Sequence, residues 1–457
     1  MRRMWGDGEM DLSGSIEAAT PTGTRPTKVR FLIIALIFVI TSLNYADRST
    51  FSIAGASASA ELGLDAVQTG FILSAFAWAY SLAQIPGGAL LDRFGTRPIY
   101  IAAIGTWSFF TVLQGFAGFI LGATVVTQLF LLRFLVGLCE APSFPGNARI
   151  VAAWFPARER GTASAIFNSA QYFSLVAFAP LMGWVVHEFG WRAVFFVMGA
   201  LGLMAMCAFA AFIREPTRHK WANAAEVELI REGGGLVEPE GRKDKAAEPT
   251  FTWSNVRQLL TSRMMIGVYL GQYCINVLTY FFVTWFPIYL VKDRGFNIME
   301  AGFVAALPAL CGFVGGVAGG VMSDMLLART GSITLARKAP LLAGMLLASL
   351  IMVAAKVESQ VGVVLLMSVA FFGKGVASLG WAVMSDVAPR KLAGLAGGVF
   401  NTFGNAAGIV TPIVVGILVA QAGSFDTALV FVGAHCLLTI VAYFVVVQKL
   451  ERLELAA

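Results

Sequence analysis

The chain has 457 residues, of which 57% are hydrophobic and only 13% are charged, with a formal net charge of +6. An ordinary soluble protein carries about 25% charged residues, so this composition excludes the soluble globular classes. The mean hydropathy of +0.74 instead indicates a chain built from membrane-spanning helices.

The chain begins with a polar segment, residues 1–30, that is rich in Gly, Ser, Thr and Pro. It lacks the apolar core and the small-residue cleavage site of a signal peptide. We therefore predict a disordered cytoplasmic tail over 1–30, followed by a first helix that acts as its own uncleaved insertion signal.

Twelve apolar segments follow, each long enough to cross a hydrocarbon core of roughly 30 Å, which needs about 20 helical residues. The predicted fold class is an all-α membrane protein with twelve transmembrane helices in two six-helix bundles, at 31–213 and 263–448. A polar cytoplasmic linker at 214–262 joins the bundles, and 449–457 form a cytoplasmic tail. The predicted spans are about 31–56, 69–91, 98–119, 122–147, 161–187, 192–213, 263–291, 297–325, 339–357, 361–386, 391–421 and 426–448.

The distribution of basic residues predicts the orientation. The segments before span 1, after every even-numbered span and at the C-terminus hold 26 of the 33 Lys and Arg residues, and the opposite side holds four. This asymmetry places both termini and the linker in the cytoplasm. The net charge of +6 is therefore a topology signal and not evidence of nucleic-acid binding.

An internal repeat supports two related halves. The end of span 2 and the end of span 8 each place Gly and Asp four residues apart, where Gly lets helices approach closely and Asp can pair with a cation or cap a helix. Likewise PARERG at 156–161 mirrors PRKLAG at 389–394. Two repeated halves with substrate between them near the midplane are typical of an alternating-access carrier. The repeated motif comprises Gly88, Asp92, Arg93, Gly95, Arg97, Gly320 and Asp324.

Four ionisable side chains interrupt the spans of the first half. Asp47 and Arg48 lie in span 1, and Arg133 and Glu140 lie seven residues apart in span 4. A charge at a helix centre costs roughly 2.5–3.5 kcal/mol on insertion scales, so such residues persist when they pair or line a water-filled pathway. Arg133 and Glu140 share one helical face about 10 Å apart, while Asp47 and Arg48 diverge by about 100°. The set predicts an ion-linked pathway, although a structural network of buried ion pairs is the alternative.

Longer stretches carry a family pattern: NYADR at 44–48, FAWAYSLAQIPGGALLDRFG at 76–95, RFLVGLCEAPSFPGNARIVAAWFPARERG at 133–161, FNSAQYF at 167–173, GVYLGQYCINVLTYFFVTWFPIYL at 267–290 and FFGKGVASLGWAVMSDVAP at 371–389. With them the chain resembles the major facilitator superfamily and, within it, the anion:cation symporter group, over nearly its whole length. It looks closest to the bacterial glucarate/galactarate transporters, with the galactonate transporter next.

The resemblance implies roles for the charged set. It implies proton binding at Asp47 and Glu140, substrate-anion binding at Arg48, and pairing of Arg133 with the acids. A guanidinium offers planar paired donors suited to a carboxylate and stays charged. Moving a guanidinium toward a buried carboxyl group, or away from it, changes the proton affinity of that carboxyl group. The same set of residues can therefore couple substrate binding to proton binding.

Lys374 in span 10 departs from the galactonate carrier, which lacks it. It shares a helical face with Ser378 and Trp381, at spacings of four and seven. A hexarate has a carboxylate at each end, so we hypothesise that Lys374 binds the distal carboxylate while Arg48 binds the first. The alternative is a lysine that snorkels or pairs with a helix-end carbonyl.

Neutral polar residues are expected to bind sugar hydroxyls. The resemblance points to Tyr45, Tyr80, Gln171, Ser378 and Asn401, with Trp381 as an apolar surface. Asn276 and Tyr280 in span 7 are second-rank cavity candidates. Ordinary hydrogen bonding between helices is the alternative for each of them.

The sequence therefore predicts a proton-coupled symporter that imports a hexarate, D-glucarate or D-galactarate, across the bacterial inner membrane. The alternatives are a symporter of a monocarboxylate such as galactonate or a hexuronate, and a proton-independent anion exchanger. No enzymatic activity, metal site or cofactor beyond protons is expected. The expected partners are a small organic acid and the lipid bilayer, without nucleic acid, and the protein is expected to be a monomer.

Overall fold

The computed structural model describes residues 25–119, 122–237, 253–389 and 392–454, and within these ranges the regular structure is helical. Most of the predicted N-terminal tail, the middle of the linker and the last three residues lie outside them. The helices are α1 Val29–Leu62, α2 Ala66–Phe94, α3 Thr96–Gln114, α4 Val125–Glu140, α5 Ser143–Trp154, α6 Arg160–Phe189, α7 Trp191–Phe212, α8 Ala224–Glu232, α9 Trp253–Thr261, α10 Arg263–Thr284, α11 Phe286–Lys292, α12 Ile298–Thr330, α13 Ile333–Ala348, α14 Ile351–Ala354, α15 Gln360–Val376, α16 Gly380–Val387, α17 Ala393–Ala422 and α18 Asp426–Val441.

The predicted class, a multi-span all-α membrane protein, is confirmed. Eleven segments of the described chain are long and apolar enough to cross a membrane. The remaining predicted span, 98–119, corresponds to α3, which packs against α4 and α7. Its 19-residue sequence TRPIYIAAIGTWSFFTVLQ begins with Thr-Arg-Pro and ends with Gln, so its apolar stretch is short and α3 falls outside the eleven.

Four spans are built from two helices in succession: α4–α5, α10–α11, α13–α14 and α15–α16. The first break follows Glu140, where Pro142 lacks the amide hydrogen needed to continue the helical ladder. The break between α15 and α16 follows Lys374 by two residues. Irregular backbone at membrane depth is tolerated where it is buried in protein or lines a cavity, so these breaks mark the interior of the molecule.

The two halves meet at the end of the molecule that lies opposite the termini. There α2 packs against α17, and α6 packs against α12. Gly70 faces the end of α17 so closely that an added Cβ would lie 2.4 Å from the Pro412 carbonyl oxygen. Gly183 and Gly302 make the equivalent contact between α6 and α12. Nearer the termini, Trp381 at the start of α16 is 58% exposed.

Gly70 provides the first testable prediction. Gly70→Leu should lower uptake of the predicted hexarate into proteoliposomes by roughly tenfold, because overpacking of a close contact costs about 1–3 kcal/mol. Gly398→Leu on α17 is the matched control, since an added Cβ there meets nothing within 4 Å. Equal uptake by the two variants, at equal folded yield on size-exclusion chromatography, would contradict a functional role for this contact.

Small residues also pack the second half. Gly315 and Gly319 on α12 lie against α15, where added Cβ atoms would approach the carbonyl oxygens of Phe372 and Val376 to 2.2 and 2.3 Å. These glycines therefore form a smooth helix face that allows α12 and α15 to pack tightly.

The first part of the linker is folded onto the N-terminal half. Glu226 of α8 is fully buried and accepts hydrogen bonds from the Val29 amide and from Arg30, both at 3.1 Å. Arg30 also pairs with Glu159 at 3.0 Å, between α5 and α6. These contacts tie the start of α1 to the linker, so residues up to 237 belong structurally to the N-terminal half.

Candidate functional site

Arg48 of α1 meets side chains of α4. Its Nε donates to Glu140 Oε2 at 3.1 Å, and one of its terminal nitrogens donates to Asn44 Oδ1 at 2.9 Å. The Glu140 side chain is fully buried, and that of Arg48 is 13% exposed. A buried carboxylate needs such a partner, since an unpaired buried charge costs several kcal/mol.

Three aromatic rings surround the same guanidinium. The Arg48 Cζ atom lies 4.6 Å from the ring centroid of Tyr45, 4.8 Å from that of Phe76 and 4.6 Å from that of Tyr80. Cation–π contacts of this kind are worth about 2 kcal/mol or more when they are desolvated. The rings therefore hold the guanidinium in place, and anion binding by Arg48 stays a prediction.

Arg133 is bonded to main-chain carbonyl groups. Its Nε donates to the Ile72 oxygen at 3.0 Å, and a terminal nitrogen donates to the Arg48 oxygen at 3.3 Å. Its guanidinium also lies 5.4 Å from the ring centroid of Phe51. In this structure it is Arg48 that forms the ion pair with Glu140, and the pairing of Arg133 with the acids stays a prediction.

Both predicted proton sites retain an acceptor oxygen without a hydrogen-bond partner among the described residues. Asp47 is 6% exposed, and its Oδ1 is one of these atoms. Glu140 Oε1 is the other. Because buried acceptors are ordinarily satisfied, such oxygens are suitable positions for a proton. Proton binding at these two carboxyl groups stays a prediction.

Lys374 lies in the last turn of α15 and is 6% exposed. Its ammonium nitrogen lies 5.3 Å from the ring centroid of Phe371 and 5.8 Å from that of Tyr172. Within the described part of the chain, no carboxylate forms an ion pair with it. Tyr172 belongs to α6 of the N-terminal half, whereas Lys374 belongs to α15 of the second half. Lys374 is therefore a buried cation that faces the other half.

Each of the two cations lies close to a tyrosine ring. The Arg48 guanidinium lies over Tyr45, and the Lys374 ammonium lies 5.8 Å from the ring centroid of Tyr172 in the other half. The hydroxyl groups of such tyrosines are groups that can hydrogen-bond a polyhydroxylated molecule.

Asn401 joins the halves directly. Its amide nitrogen donates to Gln84 Oε1 on α2 at 3.0 Å. Tyr280 donates to Asn405 Oδ1 at 3.0 Å, and Asn276 donates to the Gly404 oxygen at 2.9 Å. The last two bonds run from α10 to α17 within the second half, so both second-rank candidates lie at this helix contact.

The remaining predicted contacts are less buried than Lys374. Ser378 is exposed, and its hydroxyl donates to the Lys374 carbonyl oxygen at 2.9 Å. Trp381 packs edge-on against Phe400 with a centroid distance of 5.1 Å. Gln171 is half-buried and donates to the Asn168 oxygen at 3.2 Å. Their roles in substrate binding remain predictions.

The repeated motif lies where spans 2 and 3 connect. Gly95 has a φ of +84°, which only glycine adopts without strain, and it ends α2. Arg97 donates to the carbonyl oxygens of Ile213 and Ala210 at 2.9 and 2.6 Å, at the end of α7. Gly88 and Arg93 lie in the last two turns of α2, and the side chain of Asp92 lies outside the described residues.

The equivalent motif in the second half includes a cation. Asp324 lies 3.7 Å from Arg337, although its side chain is 82% exposed. Arg337 makes shorter contacts with Asp386 at 2.8 Å and with Ser323 at 2.7 Å. Gly320 lies one turn before Asp324 with open space around it. Asp324 is therefore a peripheral member of a cluster centred on Arg337.

Sequence reasoning missed four residues of this site: Asn44, Phe76, Gln84 and Tyr172. Asn44 could have been found, because it lies four residues before Arg48 on the same helical face. Phe76 could also have been found, because it lies one turn before Tyr80. Gln84 and Tyr172 contact residues of the opposite half, and no local spacing indicates such a partner.

Comparison with known proteins identifies the family. The sequence model of the Major Facilitator Superfamily matches residues 37–336. The chain is 52% identical over 442 residues to the probable galactarate/D-glucarate transporter GudP of Escherichia coli, covering 96% of this chain and 98% of that protein. It is 55% identical over 438 residues to the protein of the same name in Bacillus subtilis, covering 96% of each. It is 38% identical over 428 residues to a D-galactonate transporter of Escherichia coli, covering 94% of this chain and 98% of that protein.

Solved structures share the fold. A bacterial homologue of the human lysosomal transporter Spinster superposes with a TM-score of 0.74 at 17% identity, covering 94% of this chain and all of that one. A D-xylose-proton symporter superposes with a TM-score of 0.69 at 14% identity, covering 93% and 99%. These chains support the helical architecture alone, whereas the sequence matches identify the family. This chain belongs to the Major Facilitator Superfamily and is a multi-pass protein of the inner membrane.

Proposed function

We propose that this protein imports a sugar-derived dicarboxylate, D-glucarate or D-galactarate, together with protons by alternating access. The names of its relatives at 50–55% identity support a sugar-acid substrate. The observation that carries the proposal is a buried cation in each half: Arg48, paired with Glu140, and Lys374, which lies near Tyr172 of the N-terminal half. Two separated cations suit a molecule with a carboxylate at each end.

The Arg48–Glu140 pair suggests how protons and substrate are linked. Substrate carboxylate and Glu140 compete for the same guanidinium, whose position is fixed by three rings. Protonation of Glu140 removes the competing negative charge, so Arg48 becomes available to the substrate. The binding of the anion in turn favours the protonated carboxyl, because linkage between two ligands is reciprocal.

Asp47 supplies a second proton site next to this pair. Its buried Oδ1 has no hydrogen-bond partner among the described residues. Two protons balance the charge of a dianion, which makes import electroneutral and driven by the pH gradient. More than two protons would be needed to draw on the membrane potential, which is worth about 2.3 kcal/mol per charge per 100 mV.

Uptake of radiolabelled D-glucarate into proteoliposomes tests the proposal. An imposed pH gradient, acid outside, should stimulate uptake by wild-type protein. Asp47→Asn should abolish this stimulation, because the side chain can no longer carry a proton. The same variant should still exchange external labelled glucarate for unlabelled glucarate preloaded inside the proteoliposomes. Asp426→Asn, which changes an exposed acid at the start of α18, is the matched control and should respond as wild type does.

Three outcomes separate the alternatives. Uptake that ignores the gradient but requires internal substrate would identify a proton-independent exchanger and overturn the symport proposal. Stronger competition by galactonate than by glucarate would identify a monocarboxylate carrier. Loss of exchange as well as stimulation in Asp47→Asn would assign Asp47 to substrate binding and not to proton coupling.

A further inference from the structure

A second group of cations lies away from Arg48 and Lys374, at the end of the N-terminal half that carries the chain terminus. It surrounds a cavity of about 360 Å³ where α2 and α7 end, α3 begins and α5 passes. Ligand pockets commonly have volumes of about 300–1,000 Å³. The side chains that matter for its chemistry are Arg93, Arg97, Arg149, Arg214, Trp154 and Glu215.

The cavity has a strongly positive wall. Four guanidinium groups line it, against one carboxylate among the described lining residues, Glu215. That carboxylate is engaged by Arg218 at 3.4 Å. The first turn of α3, from Thr96 to Pro98, also lines the cavity, and the N-terminal end of a helix carries a partial positive charge. The electrostatics therefore favour an anion.

Two of the guanidinium groups are available to a ligand. The Arg97 guanidinium already donates hydrogen bonds to the carbonyl oxygens of Ala210 and Ile213. By contrast, Arg214 has no side-chain hydrogen bond or ion pair with any described residue, and Arg93 contacts the ring of Phe94 alone, at 5.3 Å. Free guanidinium groups in a concave site are suited to oxyanions, which they bind through paired N–H groups.

On the linker side, hydrogen bonds hold the wall of the cavity in place. The Leu236 amide donates to the Ala152 oxygen at 3.0 Å, and the Ala157 amide donates to the Gly233 oxygen at 2.7 Å. Arg160 also donates to the Gly234 oxygen. On the opposite side, the indole of Trp154 donates to the Arg214 oxygen at 3.0 Å. The linker is thus held against α5, and the pocket does not depend on an unattached loop.

We infer that this pocket binds a phosphate group. Phosphate oxygens match the fork of a guanidinium, and the apolar wall formed by Phe94, Ile150 and Trp154 accommodates an attached organic group. The pocket lies where spans end on the side that the Lys and Arg distribution predicts to be cytoplasmic. Two sources present this chemistry there: the headgroup of an anionic phospholipid and a soluble phosphate compound. Basic pockets between transmembrane helices on this side are suited to anionic headgroups.

Native mass spectrometry of the full-length protein in detergent tests the inference. Phosphatidylglycerol should bind more tightly than phosphatidylcholine with the same acyl chains. The double variant Arg93→Gln, Arg214→Gln should weaken phosphatidylglycerol binding by about tenfold or more, because two charge-assisted contacts are lost. The matched control is Arg158→Gln, Arg329→Gln, which removes the same charge from exposed positions outside the pocket and should bind as wild type does.

Inorganic phosphate added as competitor identifies the source. Phosphatidylglycerol binding that phosphate does not displace would support the lipid headgroup. Displacement at low phosphate concentration, with weak preference among lipids, would support a soluble phosphate ligand. Equal binding by the pocket variant and the control variant would overturn the inference, provided that both migrate as folded protein on size-exclusion chromatography. None of these results depends on proton coupling or on the identity of the transported acid.

Discussion

Arg48→Lys should lower kcat/KM for D-glucarate uptake by at least about a hundredfold, which corresponds to a loss of about 2.7 kcal/mol. Lysine keeps the charge but has no planar fork. Its single ammonium cannot bond Glu140 and Asn44 while also lying against Tyr45, Phe76 and Tyr80. The anion would then meet a cation that is displaced and differently hydrated. Initial uptake rates in proteoliposomes over a range of glucarate concentrations measure the effect.

Arg192→Lys is the control for this change. Arg192 also pairs with a glutamate, Glu61, and lies over an aromatic ring at 4.2 Å from the Trp191 centroid, but Glu61 is largely exposed. Exposed pairs contribute about 0.2–1 kcal/mol, so uptake should change by less than about fivefold. If Arg48→Lys transported at the rate of the Arg192 variant, the guanidinium would not be the anion site, and Arg48 would have to be assigned a structural role.

Lys374→Asn should reduce glucarate uptake but leave the binding of a monocarboxylate nearly unchanged. Loss of one charge-assisted hydrogen bond to a carboxylate costs about 1.5–3 kcal/mol, so the apparent affinity for glucarate should fall by about tenfold to a hundredfold. Galactonate has no second carboxylate for this lysine, and its inhibition constant should change by less than about threefold. The ratio of the two inhibition constants against labelled glucarate is the measurement.

Lys356→Asn provides the matched control, because it removes the same charge from an exposed position in the second half. Two results would contradict the assignment of Lys374. Unchanged glucarate uptake would leave it a buried lysine without a transport role. An equal loss of glucarate and galactonate binding would indicate a general effect on the cavity and not selection of the distal carboxylate.

Much of the charge arrangement was predictable from the sequence. Asp47, Arg48, Arg133 and Glu140 stand out because each interrupts an apolar run that has to cross the bilayer. The all-helical class follows from the same runs. The break after Glu140 was less visible, although Pro142 and Pro145 fall at the point where α4 ends and α5 begins.

The pairing within that set was not predictable. Spacing along span 4 places Arg133 and Glu140 on one face, yet Arg133 reaches main-chain oxygens of Ile72 and Arg48. Arg48 from another helix pairs with Glu140 instead. Which guanidinium meets a carboxylate depends on the rotation and separation of two packed helices, and a sequence period describes only one helix at a time.

The sequence by itself determined which residues carry charge at membrane depth, that the chain consists of helices, and that its two halves repeat a motif. These are local properties, set by hydropathy and helical period. Only the tertiary structure decided that Lys374 lies against Tyr172, that Asn401 bonds to Gln84, that the halves close opposite the termini, and that four arginines surround a separate pocket. Each of these joins residues far apart in the chain, and their proximity results from the packing of whole helices, which no single segment specifies.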